Sequence, residues 1–221
     1  MLTGINGDIN LLNNWVFRIR KPIVKTSNRV LLLFHGWSGN EDSMWVFTKD
    51  LPKDYWIISI RAPYSAGIKG YSWLELKPRN TTLLPEIEEF RPISEMVVKF
   101  LNDWAEIYSI SLVNIDLMGF SQGAALVCAL LLLTKTPIGK AACLAGFMPE
   151  GGVKYANSGQ CSDTRIFIAH GTNDELIPFE RSKEMASILQ FAGAKVEKCI
   201  ENVGHKLGRQ CFIDLGLFYK E

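Results

Sequence analysis

The chain has 221 residues, 48% of them hydrophobic, and its 24 Lys and Arg nearly cancel its 23 Asp and Glu. That length supports one sizeable core with room for surface insertions, so a single domain over 1–221 is expected. A formal net charge of +1 supplies no field to draw the protein to nucleic acid or to an anionic membrane. The start of the chain lacks the basic segment, apolar stretch and small-residue cleavage site of a secretory signal. The longest apolar runs, such as 124–133, fall short of the roughly 18 residues a membrane-spanning helix needs. Five cysteines (Cys128, Cys143, Cys161, Cys199, Cys211) are odd in number, lack Cys-x-x-Cys spacing and mostly lie inside apolar segments. Buried free thiols in the cytoplasm are the expectation.

In chain order, short runs rich in β-branched and aromatic residues predict strands at 15–19, 30–34, 56–60, 113–118, 141–147, 165–169 and 196–200. Helices are predicted between them. Met96, Val97, Phe100, Leu101, Trp104 and Ile107 recur at helical spacing behind a Ser94 cap, giving a helix over 94–108. Segment 122–133 is apolar nearly all round and should be a buried central helix, and 182–191 is a third. Apolar strands separated by helices imply an α/β fold, a mostly parallel sheet with helices on both faces. Ligands in such sheets gather at the carboxyl ends of the strands. Two long excursions, 62–92 and 148–163, have the length of functional loops.

Gly119-Phe120-Ser121-Gln122-Gly123 fits the G-x-S-x-G elbow, in which a strand turns abruptly into a helix and exposes the serine hydroxyl. It follows a predicted strand and opens a predicted apolar helix, the two conditions the motif requires. A small serine at a tight turn is the bland alternative. A serine nucleophile needs a base, and the base needs an orienting acid. Of the three histidines, His35 and His170 sit at strand ends and read as structural, with ring nitrogens bonded to neighbouring loops. His205, in the loop NVGHKLG after the last strand, is the candidate base. Where such an elbow is used the chain order is serine, acid, histidine. Asp174 in HGTNDELIP meets that order, with its neighbour Glu175 as rival. Gln122, directly after the serine, and Trp37, in the loop after LLLFHG, are the candidate backbone donors of an oxyanion hole.

Taken together, LLLFHGWSG, IRAP, GFSQGA, HGTNDELIP and GHKLG resemble the α/β-hydrolase superfamily, and within it the phospholipase/carboxylesterase branch that includes the acyl-protein thioesterases. The likeness runs from about residue 30 to 205. It implies an α/β-hydrolase fold without a large cap domain, Ser121 as nucleophile, Asp174 as acid, His205 as base, and Gln122 and Trp37 as oxyanion donors. The bulky Trp37 departs from the smaller residues common at that point.

The expected reaction is hydrolysis of esters or thioesters of short to medium acyl groups through an acyl-enzyme, with no metal or organic cofactor and with the rate lost at acid pH. Trp37, Tyr71, Trp73, Leu83, Leu84, Phe147, Met148 and Leu176 are the expected lining of the acyl pocket, with 62–92 as its wall. The partner is a small-molecule ester or acyl substrate, and the oligomeric state is left open. A serine peptidase on the same framework and a non-catalytic receptor that keeps the fold are the alternatives.

Overall fold

The computed structural model describes residues 8–24, 26–75, 84–113 and 115–221. Ten strands and four α-helices follow in order: β1 (Asp8–Leu12), β2 (Trp15–Arg20), β3 (Arg29–Phe34), β4 (Tyr55–Ile60), β5 (Tyr64–Ser65), β6 (Tyr71–Ser72), α1 (Arg91–Tyr108), β7 (Ile115–Phe120), α2 (Gln122–Leu133), β8 (Ile138–Leu144), β9 (Arg165–Gly171), α3 (Phe179–Phe191), β10 (Lys195–Glu201) and α4 (Arg209–Lys220). Eight of the strands form one sheet in the order β1-β2-β4-β3-β7-β8-β9-β10. Strand β2 runs antiparallel to β1 and β4, and every other pairing in the sheet is parallel. Strands β5 and β6 make a small separate hairpin.

Side chains alternate across the sheet with period two, and the apolar strands are buried on both faces. Leu32, Phe34, Ile58, Leu117, Ala141 and Ile168 pack with α1, α2 and α3. Leu31, Leu33, Ile57, Met118, Ala142 and Phe167 face the other way, against α4 and a 3-10 turn at Ser43–Thr48. This is the expected α/β-hydrolase fold. Helix α2 is buried from Gly123 to Leu132, because its sequence offers no polar face to water.

Several boundaries differ from the sequence reading: β7 runs Ile115–Phe120 rather than 113–118, and α3 starts at Phe179 rather than 182. Helix α1 begins at Arg91, with Pro92 in its first turn, behind a 3-10 turn whose Glu86 and Glu89 form the capping box. Ser94 therefore caps nothing and is buried inside the helix. Strand β8 covers Ile138–Leu144, so 145–147 have already left the sheet. The hairpin partner β1 and helix α4 are additional elements. Among the described residues no helix is long and apolar enough to cross a membrane.

The cysteine expectation needs correction. Cys128, Cys143 and Cys161 are buried free thiols, but Cys199 and Cys211 are joined as a disulfide. The chain leaves β10 at Glu201 and returns through α4, whose first turn packs Cys211 back against the strand.

Candidate active site

Strand register brings the candidate residues to one edge. Phe34 of β3 pairs with both Ile60 of β4 and Gly119 of β7, and Gly171 of β9 pairs with Glu201 of β10. The loops holding His35, Ser121, Asp174 and His205 thus leave the sheet at its carboxyl end.

Ser121 lies between β7 and α2 with φ 53° and ψ −116°, a region that costs an L-residue about 1–3 kcal/mol. Its N–H donates to the Leu144 carbonyl, 2.9 Å, and its carbonyl accepts from Ala124 and Ala125. The flanking glycines are there for close approach. A Cβ on Gly119 would overlap the Gly123 carbonyl, and one on Gly123 would overlap the Phe34 carbonyl.

Asp174 and His205 meet across the β9 and β10 loops. The His205 Nδ1–H donates to Asp174 Oδ2, 2.7 Å, which leaves Nε2 as the ring's free lone pair. Asp174 Oδ1 accepts the N–H groups of Leu176 and Ile177, both 2.9 Å, so the carboxylate is buried and fixed by its own turn. The rival Glu175 is exposed. The two loops are stitched by Asn173 N–H to Val203 O, 3.0 Å, and Thr172 N–H to Glu201 O, 2.9 Å. The imidazole of His205 stands edge-on to Phe120, 5.0 Å between centroids, one residue from Ser121. No hydrogen bond joins Ser121 to His205 among the described residues, and in substrate-free sites such bonds are often long until substrate arrives.

The other two histidines brace loops, as expected. His35 is fully buried; its Nδ1–H donates to Gly36 O, 2.7 Å, and its Nε2 accepts the Ala62 N–H, 3.0 Å. Burial pushes it down to about 4, against smaller upward pulls from the Gly36 carbonyl and Glu41. His170 Nε2–H donates to Ile177 O, 2.9 Å, and lies 3.5 Å from Asp174 Oδ2, behind the acid.

Gln122 opens α2, where backbone N–H groups have no intrahelical acceptor. Its side chain is tied down, Oε1 accepting the Trp73 N–H at 3.0 Å and Nε2 donating to Ser72 Oγ at 3.2 Å. Trp37 follows Gly36, where a Cβ would lie 3.3 Å from the Ser121 Cβ, and no bond among the described residues takes up its N–H. Trp37 is 57% exposed.

The residues expected to line the pocket divide by burial. Trp73 is fully buried and its Nε1–H donates to His35 O, 2.7 Å, while Phe147 and Met148 belong to the core. Tyr71 is half-buried and serves as a brace: its N–H donates to Gly39 O, 2.9 Å, and its hydroxyl accepts from Arg61, 3.2 Å. Leu84 packs partly on the core, and Leu83 lies outside the described residues. Trp37 and Leu176, the latter 71% exposed, keep free apolar surface beside the site. In its described part, the 62–92 excursion therefore supports the loop after β3. Sequence reasoning missed that support and its bidentate Arg61–Glu41 pair, both contacts 2.6 Å.

The model of the phospholipase/carboxylesterase family matches residues 15–220. The chain belongs to that family. With it, the chain is a carboxylic ester hydrolase. It is 27% identical to acyl-protein thioesterase 1 of Candida albicans over 224 residues, covering 93% of this chain and 97% of that one. It is 25% identical over 204 residues to the putative hydrolase MhqD of Bacillus subtilis, covering 89% and 94%. The crystal structure of a Bacillus cereus carboxylesterase superposes with a TM-score of 0.81 at 24% identity, covering 93% of each chain, and supports the fold.

Proposed function

We propose that this ester hydrolase works through Ser121, His205 and Asp174 by way of an acyl-enzyme, on esters or thioesters of short to medium acyl groups. The observation that carries the reading is the 2.7 Å bond from His205 Nδ1–H to a buried Asp174 carboxylate, with the imidazole against the residue preceding a serine at positive φ. His205 Nε2 takes the Ser121 proton as Oγ attacks the substrate carbonyl carbon, and Asp174 holds the imidazole and stabilises its charge. The backbone N–H groups of Gln122 and Trp37 receive the oxyanion. His205 then protonates the leaving alcohol or thiol, and water, activated by the same ring, releases the acid. Asp174 keeps its negative charge throughout.

Acyl preference follows from the two apolar surfaces left open, Trp37 and Leu176, which cover a short chain without enclosing a long one. The chain, 1–221, acts as one catalytic domain in this reading. We assign it to the cytoplasm on its three free thiols, a compartment where a disulfide such as Cys199–Cys211 is transient or sensing.

The test is a chain-length series of p-nitrophenyl esters, with a matched acyl thioester and a peptide anilide, assayed on wild type and Ser121→Ala. Hydrolysis of the shorter esters and thioesters, lost in the variant along with fluorophosphonate labelling, is expected. Preference for the anilide would mean a peptidase. Neither labelling nor turnover on any substrate would mean a non-catalytic receptor.

A further inference from the structure

The segment that carries His205 is fastened at both ends by contacts the hydrolytic reading does not use. Cys199, on β10, and Cys211, in the first turn of α4, are bonded twelve positions apart, and His205 lies midway inside the closed segment. Glu201 acts between the two ends. Its carboxylate accepts the N–H groups of Cys211, 2.8 Å, and Gln210, 3.3 Å, and so caps α4, while its carbonyl accepts those of Thr172 and Val203, both 2.9 Å. Gly208 leaves room for this cap, because a Cβ there would overlap the Glu201 carboxylate.

A displacement of the first turn of α4 reaches the imidazole by two routes. One is the backbone of 202–208. The other is a stack of half-buried rings: Phe212, next to Cys211, lies on Phe47 at 5.2 Å, Phe47 lies on Phe120 at 6.0 Å, and Phe120 meets His205. Among the described residues the only side-chain bond of His205 is the one to Asp174, so its position depends on the segment that carries it.

Resting on the reading of His205 as the base, we propose that the Cys199–Cys211 disulfide is a positioning element for His205, so that hydrolysis is fast with the bond formed and slow once a dithiol has reduced it. A thiolate of the dithiol attacks Sγ of Cys199, the less buried of the two residues at 8% exposure against 1% for Cys211. The Sγ–Sγ bond breaks with its electron pair on Cys211 Sγ, which takes a proton; the first turn of α4 favours that thiolate as leaving group. The second thiol of the reductant then displaces Cys199 as a thiol and closes the reductant's own disulfide. Two electrons and two protons pass from the dithiol to the protein. Cys128, Cys143 and Cys161 stay reduced throughout, buried in the other layer of the core.

The experiment compares air-oxidised protein, protein reduced with dithiothreitol, and the double variant Cys199→Ser/Cys211→Ser, at a temperature well below melting. Alkylation after denaturation should find three of the five thiols in the oxidised protein and five after reduction. Reduction should lower kcat for a short p-nitrophenyl ester by about tenfold or more with KM little changed, as displacement of a catalytic group does. Oxidised glutathione should restore it, and the double variant should be slow and indifferent to dithiothreitol. Amide exchange should quicken in 202–208 on reduction and stay constant in α2 and the sheet centre. Should the double variant fail to fold, the reduced wild type carries the comparison. Five reactive thiols in oxidised protein, or equal kcat and equal exchange in the two redox states, would overturn the proposal. If the oxidised enzyme cleaves no ester, the catalytic reading fails, and the exchange measurement alone decides whether the disulfide fastens the segment.

Discussion

Gly171 lies so close to the carbonyls of Val203 and Gly204 that a Cβ on it would overlap both oxygens. The glycine at the end of β9 is thus what lets the loop bearing His205 lie down beside the loop bearing Asp174. Gly171→Ala should push 203–204 outward and lengthen the bond between acid and base. The expected loss in kcat is about 10²-fold, the scale for an ångström-sized misplacement of a catalytic group, with far-UV circular dichroism unchanged. Full activity in the alanine variant would show that the His205 loop has room to spare.

Asp174 and Glu175 are adjacent in sequence but opposite in environment, one buried under three hydrogen bonds and the other in water. Asp174→Asn keeps the shape and removes the charge that supports the imidazolium. It should reduce kcat by about 10⁴-fold, the scale known for this change in a serine triad. Glu175→Gln should leave kcat within about twofold, since the field of an exposed carboxylate reaches the relay only through screening water. Comparable losses in both variants would remove the distinction on which the acid assignment rests.

Arg61 grips Glu41 with two 2.6 Å bonds, and its guanidinium lies over Tyr71 at 4.7 Å. Glu41 is buried and Arg61 only partly so. Arg61→Met would strip a buried carboxylate of its bidentate partner and leave it only the field of Arg18, at a cost of about 2 kcal/mol, below the roughly 3–5 kcal/mol of a fully buried pair. Because Tyr71 also holds Gly39, the loop after β3 should loosen and kcat should fall together with the urea midpoint. A variant as stable as wild type would mean that the pair only decorates the loop.

How far these relationships can be read in advance depends on the range of the interaction. The central strands and α2 announce themselves because a parallel sheet buries both faces, and burial writes continuous apolar runs. Strand β1 is less legible because its side chains are mostly exposed, although Asn13 and Asn14, both at positive φ, are the two-residue turn signal that joins it to β2. Helix α4 carries a readable stripe, Cys211, Leu215, Phe218 and Tyr219, interrupted by Gly216. The serine elbow is legible since its constraint is local, two glycines four positions apart. Nothing local links Arg61 to Glu41, Gln122 to Ser72 or Cys199 to Cys211, because tertiary packing alone brings those pairs together.

His35 makes acid stability a direct readout of the brace it forms. Its Nε2 accepts the Ala62 N–H, a bond that only the neutral ring can make, and burial holds its folded pKa at about 4, below the 6.5 of an exposed imidazole. Between those values the unfolded chain binds the extra proton and the folded chain does not. The stability contributed by the neutral ring is therefore complete above about pH 6.5 and is lost as pH falls toward 4, about 3 kcal/mol over the window. Urea unfolding of Ser121→Ala at pH 7.5, 5.5 and 4.5 should show this slope, and adding His35→Gln should lower stability at pH 7.5 while flattening the decline. An undiminished slope in the doubly substituted protein would assign the acid sensitivity to other groups and leave His35 a brace without a titration.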